Sequence, residues 1–131
     1  MSKNQVSSLF LLLCLYAFSA CSSKVDLEGV DLEAWKKDRN GCMGLREPQV
    51  EAFRLVKNDL LGKDNQALIK TFGRPDRVEL ADRSQNFFIY YVEASPNCDS
   101  DDVKSEPLKV IFRLNAYSRV SEVTISTLNP R

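Results

Sequence analysis

The chain has 131 residues, no histidine, and equal numbers of basic and acidic side chains, 18 of each. A net charge of zero gives no electrostatic footprint for nucleic acid, so no nucleic-acid partner is expected. Imidazole is the usual base at neutral pH and a frequent zinc ligand, so its absence argues against Ser/His/Asp or Cys/His catalysis and against most zinc sites. The composition favours a binding protein over an enzyme, and no cofactor is predicted.

Residues 1–20 have the layout of a signal peptide. Lys3 precedes an apolar run from Leu9 to Phe18, and small residues follow the run. The run is about half the roughly 20 residues that a membrane-spanning helix needs. We therefore predict that residues 1–20, including Cys14, are a leader that is removed.

The end of this leader, Phe18-Ser19-Ala20-Cys21, resembles a bacterial lipobox, in which an apolar residue and two small residues precede an acylated cysteine. Bulky Phe18 at position −3 does not suit the ordinary signal peptidase, which prefers small residues there. The resemblance implies a diacylglycerol and an N-linked acyl chain, such as palmitate, on Cys21. Several acyl chains anchor a protein stably to a membrane. The alternative is a buried N-terminal helix of the fold.

Two cysteines remain, Cys42 and Cys98. In an exported protein an even pair is most simply a disulfide, and a bridge over a loop of this length contributes roughly 4 kcal/mol in the chain-entropy model. The alternative is a free redox or metal-binding pair.

Ser22, which follows the lipidated cysteine in place of Asp, is typical of proteobacterial lipoproteins sorted to the outer membrane.

Residues 21–31 are mostly polar and aperiodic, which predicts a short tether before a single domain over residues 32–131. Asp31 is predicted to cap a short helix that carries Trp35. Trp35 could stack on a ligand, but a short helix must bury an apolar residue to persist, so we expect Trp35 in the core.

Two further helices are predicted before the first strand. The first begins at Glu47, has Pro48 in its first turn and ends at Gly62, and the second is capped by Asp64 and ends at Gly73. The predicted apolar faces repeat near the helical period. In the first helix these residues are Val50, Phe53, Leu55, Val56, Leu60 and Leu61, and in the second Ala67, Leu68, Ile69 and Phe72.

The pattern changes to strands after Pro75. Strands are predicted around Val78–Leu80, Phe87–Val92, Leu108–Leu114 and Val123–Thr127, joined in part by turns at 82–85 and 115–118. Short joints favour antiparallel neighbours, and alternation predicts one buried and one solvent-facing side of the sheet. The sequence therefore predicts a two-layer α+β fold, with two N-terminal helices packed on one face of a three- to four-stranded antiparallel sheet.

The layout of residues 50–125 resembles that of the small outer-membrane lipoproteins of the SmpA/OmlA type, which include the BamE subunit of the β-barrel assembly machinery. In that family a glycine precedes a helix that closes with Leu-Gly-x-Pro. Here Gly62 precedes a helix that closes with Phe72-Gly73-Arg74-Pro75. The resemblance implies the same α+β fold behind a lipidated cysteine, and residence in the bacterial envelope at the outer membrane, facing the periplasm.

The loop from Glu93 to Pro107 is longer than an ordinary hairpin connection and is expected to be functional or pinned. Its carboxylates Asp99, Asp101 and Asp102 have the oxygen-rich character of a calcium site, but they lack the glycine and the distal glutamate of an EF-hand. They are weak calcium candidates only. A solvated acidic loop, joined to Cys42 by the disulfide, explains them better.

The carboxylates Asp76 and Glu79 occupy positions expected to be exposed, so they are not predicted to form a catalytic pair. If Phe87, Ile89 and Tyr91 are exposed on the outer side of the sheet, they form an apolar surface suited to docking. We therefore predict a lipid-anchored envelope protein that acts as an interaction or scaffold module for a protein partner. The main alternative is a periplasmic small-ligand or inhibitor-type binding protein that uses the open sheet face.

Overall fold

The computed structural model describes residues 22–131. The predicted leader, with Cys14, and the lipidation residue Cys21 lie outside the described residues, so these assignments stay predictions. Among residues 22–131, no helix is both long and apolar enough to cross a membrane.

Among residues 22–131, three α-helices precede a sheet of four strands. The helices are α1 (Leu32–Lys37), α2 (Val50–Val56) and α3 (Asn65–Phe72), with short 3₁₀ helices at Arg39–Gly41, Glu47–Gln49 and Lys57–Leu60. The strands are β1 (Arg77–Ala81), β2 (Gln85–Tyr91), β3 (Lys109–Leu114) and β4 (Val120–Ser126). This order confirms the predicted α+β class.

The predicted helix caps are confirmed. The Asp31 carboxylate accepts hydrogen bonds from the amides of Glu33 and Ala34 at the start of α1. At the start of α3, the Asp64 carboxylate accepts one from the Ala67 amide, and the helix ends at Gly73. Each aspartate satisfies amide groups that have no partner within their own helix.

The single helix predicted from Glu47 to Leu61 is instead a 3₁₀ turn, α2 and a second 3₁₀ turn. The predicted apolar face was also too wide, because Leu55 and Leu61 are 87% and 46% exposed while Phe53 and Leu60 are buried. Leu55 lies two residues, and so about 200°, around the helix from Phe53. When Phe53 points into the core, Leu55 must point to solvent.

The strands form one antiparallel sheet in the order β1-β2-β3-β4. The predicted turns are present between β1 and β2 and between β3 and β4. Arg83 and Ser84 adopt left-handed conformations in the first turn, and Ser118 does so in the second. A sheet in this order has β1 and β4 as its edge strands.

The core joins the helices to alternate residues of the strands. Trp35, Phe53 and Phe72 pack with each other and, through Phe53 and Phe72, contact Phe112 of β3, with ring centroids 5.4–6.3 Å apart. Trp35 is fully buried, which confirms its predicted place in the core. The side of the sheet that carries Phe88, Tyr90, Val110 and Phe112 is called the core face below, and the opposite side the outer face.

Residues 22–31, which belong to the predicted tether, lie against the domain. Leu27 and Val30 are buried in the main core. The Val25 amide donates to Oγ1 of Thr71 at 2.8 Å, and the Ser22 hydroxyl donates to Asp64 at 2.6 Å. Apolar residues spaced three apart in a polar segment are enough to dock it, although the segment has no helical or strand period.

Candidate functional site at the β1 edge

The two edges of the sheet differ in how their backbone groups are satisfied. At the β4 edge, the Gly62 amide donates to the Val120 carbonyl and the Val120 amide donates to the Lys63 carbonyl, both at 2.8 Å. The ammonium of Lys57 donates to the Val123 carbonyl at 3.1 Å. The segment after α2 therefore covers the first part of the β4 edge, at Val120 and Val123.

The β1 edge has no such cover. Within residues 22–131, the backbone of Arg77–Ala81 makes hydrogen bonds to β2 only, and nothing pairs with its other side. An edge strand with unpaired N–H and C=O groups is a template for another extended chain. β1 is therefore the open edge of the described sheet.

The side chains of β1 divide into an apolar pair and a charged pair. On the core face Val78 and Leu80 are 49% and 84% exposed, although their cross-strand partners are Phe88 and Asn86. On the outer face the guanidinium of Arg77 lies 2.7 Å from the Glu79 carboxylate. A hydrogen bond with the Tyr91 side chain raises the pKa of Arg77 above its ordinary value.

A buried ion pair fixes the start of β1. The Arg46 guanidinium and the Asp76 carboxylate are 2.5 Å apart, and both side chains are 0% exposed. The Asp76 carboxylate also accepts a hydrogen bond from the Tyr91 amide at 2.9 Å. Arg46 in turn donates to the carbonyls of Trp35 and Tyr91, both at 2.9 Å. β1 is thus held to α1 and to the end of β2 through two buried charges.

Asp76 was expected at an exposed position, and that prediction is wrong, because its side chain is buried. Arg46 was not among the residues predicted from the sequence to be functional. Arg46 lies over the rings of Trp35 and Tyr90, at 5.4 and 5.7 Å from their centroids. These aromatic faces partly compensate the charge of the buried guanidinium. Burial raises the pKa of the Tyr90 hydroxyl. This hydroxyl donates a hydrogen bond to the Gly73 carbonyl at 2.8 Å.

The predicted disulfide between Cys42 and Cys98 is confirmed, with an S–S distance of 1.98 Å. The bridge joins the turn after α1 to the long loop between β2 and β3. Gly41 lies against this loop so closely that a Cβ atom there would be 2.4 Å from the Glu93 carbonyl oxygen. The loop is therefore pinned by a covalent bond and by close backbone packing.

A surface cavity of about 520 Å³ lies beside the disulfide. Its lining includes the carboxylates of Glu47, Glu93, Asp101 and Asp102. Lys104 lies 2.6 Å from Glu93, and its hydrogen bond lowers the pKa of that carboxyl. Across residues 22–131, no three acidic, histidine or cysteine side chains converge closely enough to hold a metal ion, and the calcium candidates Asp99, Asp101 and Asp102 form no such group.

The outer face carries buried apolar residues, although the alternation of apolar and polar residues predicted that this side would face solvent. Phe87, Ile89 and Tyr91 are 6%, 0% and 6% exposed. They therefore do not form the exposed apolar surface that docking requires. The guanidinium of Arg113 lies 5.8 Å from the Phe87 ring centroid. Lys109, itself buried, donates to the Thr127 carbonyl at 2.6 Å. The aliphatic stems of such residues can cover apolar surface while the charges find polar partners.

Comparison with protein-family models, with curated proteins and with solved structures found no match. The described residues define an α+β protein whose β4 edge is covered in part and whose β1 edge is open. The likeness to the SmpA/OmlA lipoproteins stays a prediction from the sequence.

Proposed function

We propose that this protein is a lipid-anchored envelope lipoprotein of the SmpA/OmlA, or BamE-like, type that serves as an interaction module in outer-membrane assembly or maintenance. The lipid on Cys21 anchors it at the outer membrane, facing the periplasm. Two helices packed on one face of the sheet form a two-layer domain that presents β1. The observation that carries the proposal is the open β1 edge with its exposed residues Val78 and Leu80.

The mode of binding is addition of a strand. An extended segment of a partner pairs with the unpaired backbone groups of β1, and these main-chain hydrogen bonds supply affinity. Alternate side chains of that segment lie over Val78 and Leu80 on one side and over Arg77 and Glu79 on the other. Burying a fully exposed leucine contributes about 1.5–3 kcal/mol, so Leu80 is the apolar anchor of the site.

The test is affinity purification of the full chain from detergent-solubilised envelopes, with a matched pair of variants. Leu80 and Leu55 are almost equally exposed, at 84% and 87%, but only Leu80 lies on β1. A charge on an edge strand opposes strand addition, so Leu80→Lys should lose the retained partner and Leu55→Lys should keep it. Equal retention by the two variants would overturn the proposal that β1 is the binding edge.

The anchor has its own test. Cys21→Ala should yield no lipidated species by mass spectrometry and should move the protein from the detergent phase to the aqueous phase. Lipidation that persists in this variant rejects the assignment of Cys21. The result is independent of the β1 experiment, because the two variants lie in different segments of the chain.

The second candidate function is that of a small-ligand or inhibitor-type binding protein, and the cavity beside the disulfide favours it. The cavity is acidic, so a cationic ligand suits its lining. Calorimetry with calcium chloride is a direct first probe. If calorimetry detects heat of binding, and the double variant Asp101→Asn/Asp102→Asn abolishes that heat, this candidate is favoured over the interaction module.

A further inference from the structure

We propose that the partner of the β1 edge is a second copy of this chain, paired antiparallel with Val78 at the two-fold axis. The proposal rests on the proposed function of this edge and names its partner. It makes the two four-stranded sheets one continuous sheet of eight strands.

The sequence of β1 is self-complementary in this arrangement. With Val78 opposite Val78 of the second copy, Arg77 lies opposite Glu79 and Glu79 lies opposite Arg77. Opposite charges directly across an antiparallel pair are favourable. The pair that already joins Arg77 to Glu79 within one chain then becomes a network of four alternating charges.

The same register joins the exposed apolar residues on the core face. Diagonal neighbours in an antiparallel pair are within reach of long side chains. Leu80 of each copy is the diagonal neighbour of Val78 of the other copy. Four side chains that are exposed in the single chain therefore form one apolar cluster across the axis.

Charge selects this register over its nearest competitor. A two-fold pairing centred on Glu79 would also place Val78 opposite Leu80 of the second copy. It would place the two Glu79 carboxylates directly opposite each other, however, and like charges in that position are destabilising. The pairing centred on Val78 avoids this contact.

The two-fold symmetry of the pairing limits association to two copies. Among residues 22–131, the segment that follows α2 covers β4 at Val120 and Val123, whereas nothing covers β1. A two-fold contact that uses the same surface on both copies is closed and cannot extend into a fibre. Anchoring both copies in one membrane would raise their effective concentration.

Cysteine crosslinking of the full chain in envelopes tests the register. Directly opposite residues of an antiparallel pair lie about 4.5–5.5 Å apart at Cα, which a disulfide can bridge. Val78→Cys should give a dimer on a non-reducing gel. Leu80→Cys is offset from its counterpart by four residues and should give little dimer, and Leu55→Cys, which is off the strand, should give none.

Charge reversal in the Val78→Cys background tests the self-complementarity. Arg77→Glu alone and Glu79→Arg alone each replace opposite charges by like charges at two symmetric positions, so each should weaken dimerisation about tenfold. The double reversal restores the pairing and should recover the crosslink. Trp35 fluorescence and thermal melting of each variant check that the domain remains folded.

The proposal is overturned if Val78→Cys gives no more crosslinked dimer than Leu55→Cys. It is also overturned if the single charge reversals remain folded and lose the crosslink, but the double reversal does not recover it. Neither result decides the proposed function. If another protein is retained by the wild type and lost with Leu80→Lys, β1 is an interaction edge for a different partner. If Val78→Cys gives no dimer and Leu80→Lys retains the same proteins as the wild type, both proposals are rejected.

Discussion

Asp76 combines full burial of its side chain with a charge, so its replacement should have a large effect on stability. Removing one partner of a buried ion pair leaves the other charge uncompensated and costs about 3–5 kcal/mol. We expect Asp76→Ala to lower the free energy of unfolding by that amount, because Arg46 would remain buried at 0% exposure. Urea unfolding followed by the fluorescence of Trp35, the one tryptophan in the chain, measures the change.

Glu79→Ala is the matched control for Asp76→Ala. Glu79 also pairs with an arginine, but in the Arg77–Glu79 pair the side chains are 50% and 23% exposed. Exposed ion pairs contribute about 0–1 kcal/mol. If the two variants lose the same stability, Arg46 does not depend on Asp76 in the way the geometry indicates.

Gly41 and Gly44 allow a steric effect to be separated from a conformational one. Both glycines have φ of +68°, but a Cβ at Gly41 would meet the Glu93 carbonyl at 2.4 Å, while a Cβ at Gly44 would meet nothing within 4 Å. Alanine at either position carries the strain of the left-handed conformation. Gly41→Ala should therefore cost about 2 kcal/mol more than Gly44→Ala, in the range of other overpacking substitutions. Equal losses in chemical denaturation would show that the loop can move away.

At the scale of an element, α3 should make stability depend on pH through its cap. Hydrogen bonds from the Ser22 hydroxyl and then the Ala67 amide lower the pKa of Asp64 below its ordinary value of 3.8. A carboxyl whose pKa is lower in the folded state contributes stability above its unfolded pKa and loses it as pH falls through the folded pKa. The cap should therefore weaken below about pH 4.

The variant Asp64→Asn keeps an acceptor oxygen at the cap but cannot titrate. Wild type should be more stable than this variant at pH 7, and the difference should shrink at pH 3. Unfolding curves at both pH values measure it. Ser22→Ala should reduce the same difference, because Ser22 is the largest cause of the pKa shift. A difference that does not change with pH would contradict the role of the charge.

The elements that the sequence predicted well depend on short-range chemistry. Asp31 and Asp64 cap their helices through amides two or three residues away, so the pattern that specifies each cap is contiguous. The position of Arg46 could not be predicted in the same way. Its partner Asp76 is 30 residues away, and no local pattern of apolar and polar residues distinguishes a buried arginine from an exposed one.

The burial of each sheet face, and which edge of the sheet is open, also depend on long-range packing. Arg113 and Lys109 count as polar in an alternating pattern, yet they lie on the outer face with Phe87 and Tyr91 and are partly or fully buried there. Which edge is open is decided by the path of the segment after α2, which reaches β4 and not β1. The alternation of β1 contains no information about that path.

At the scale of the molecule, the disulfide and the fully buried ion pair lie at the same end of the sheet. The disulfide and the Arg46–Asp76 pair both lie where β1 begins and β2 ends, and the Asp38 carboxylate accepts hydrogen bonds from the amides of Met43, Leu45 and Arg46 nearby. The turn that joins β1 to β2 lies at the opposite end. The proposed binding along β1 would therefore start from a fixed strand and would not require the start of the strand to be ordered first.

The disulfide should supply a large part of the stability of the whole domain. It closes a loop with a sequence separation of 56 residues, and in the chain-entropy model such a bridge contributes roughly 4 kcal/mol by restricting the unfolded chain. Domains of this size have about 5–15 kcal/mol in total. We expect the double variant Cys42→Ser/Cys98→Ser to lose roughly 4 kcal/mol in urea unfolding, and wild type with a reducing agent to lose a similar amount. A reducing agent should not change the stability of the double variant. If wild type were equally stable with and without its disulfide, the contacts of Asp38 and Arg46 alone would hold this end of the sheet.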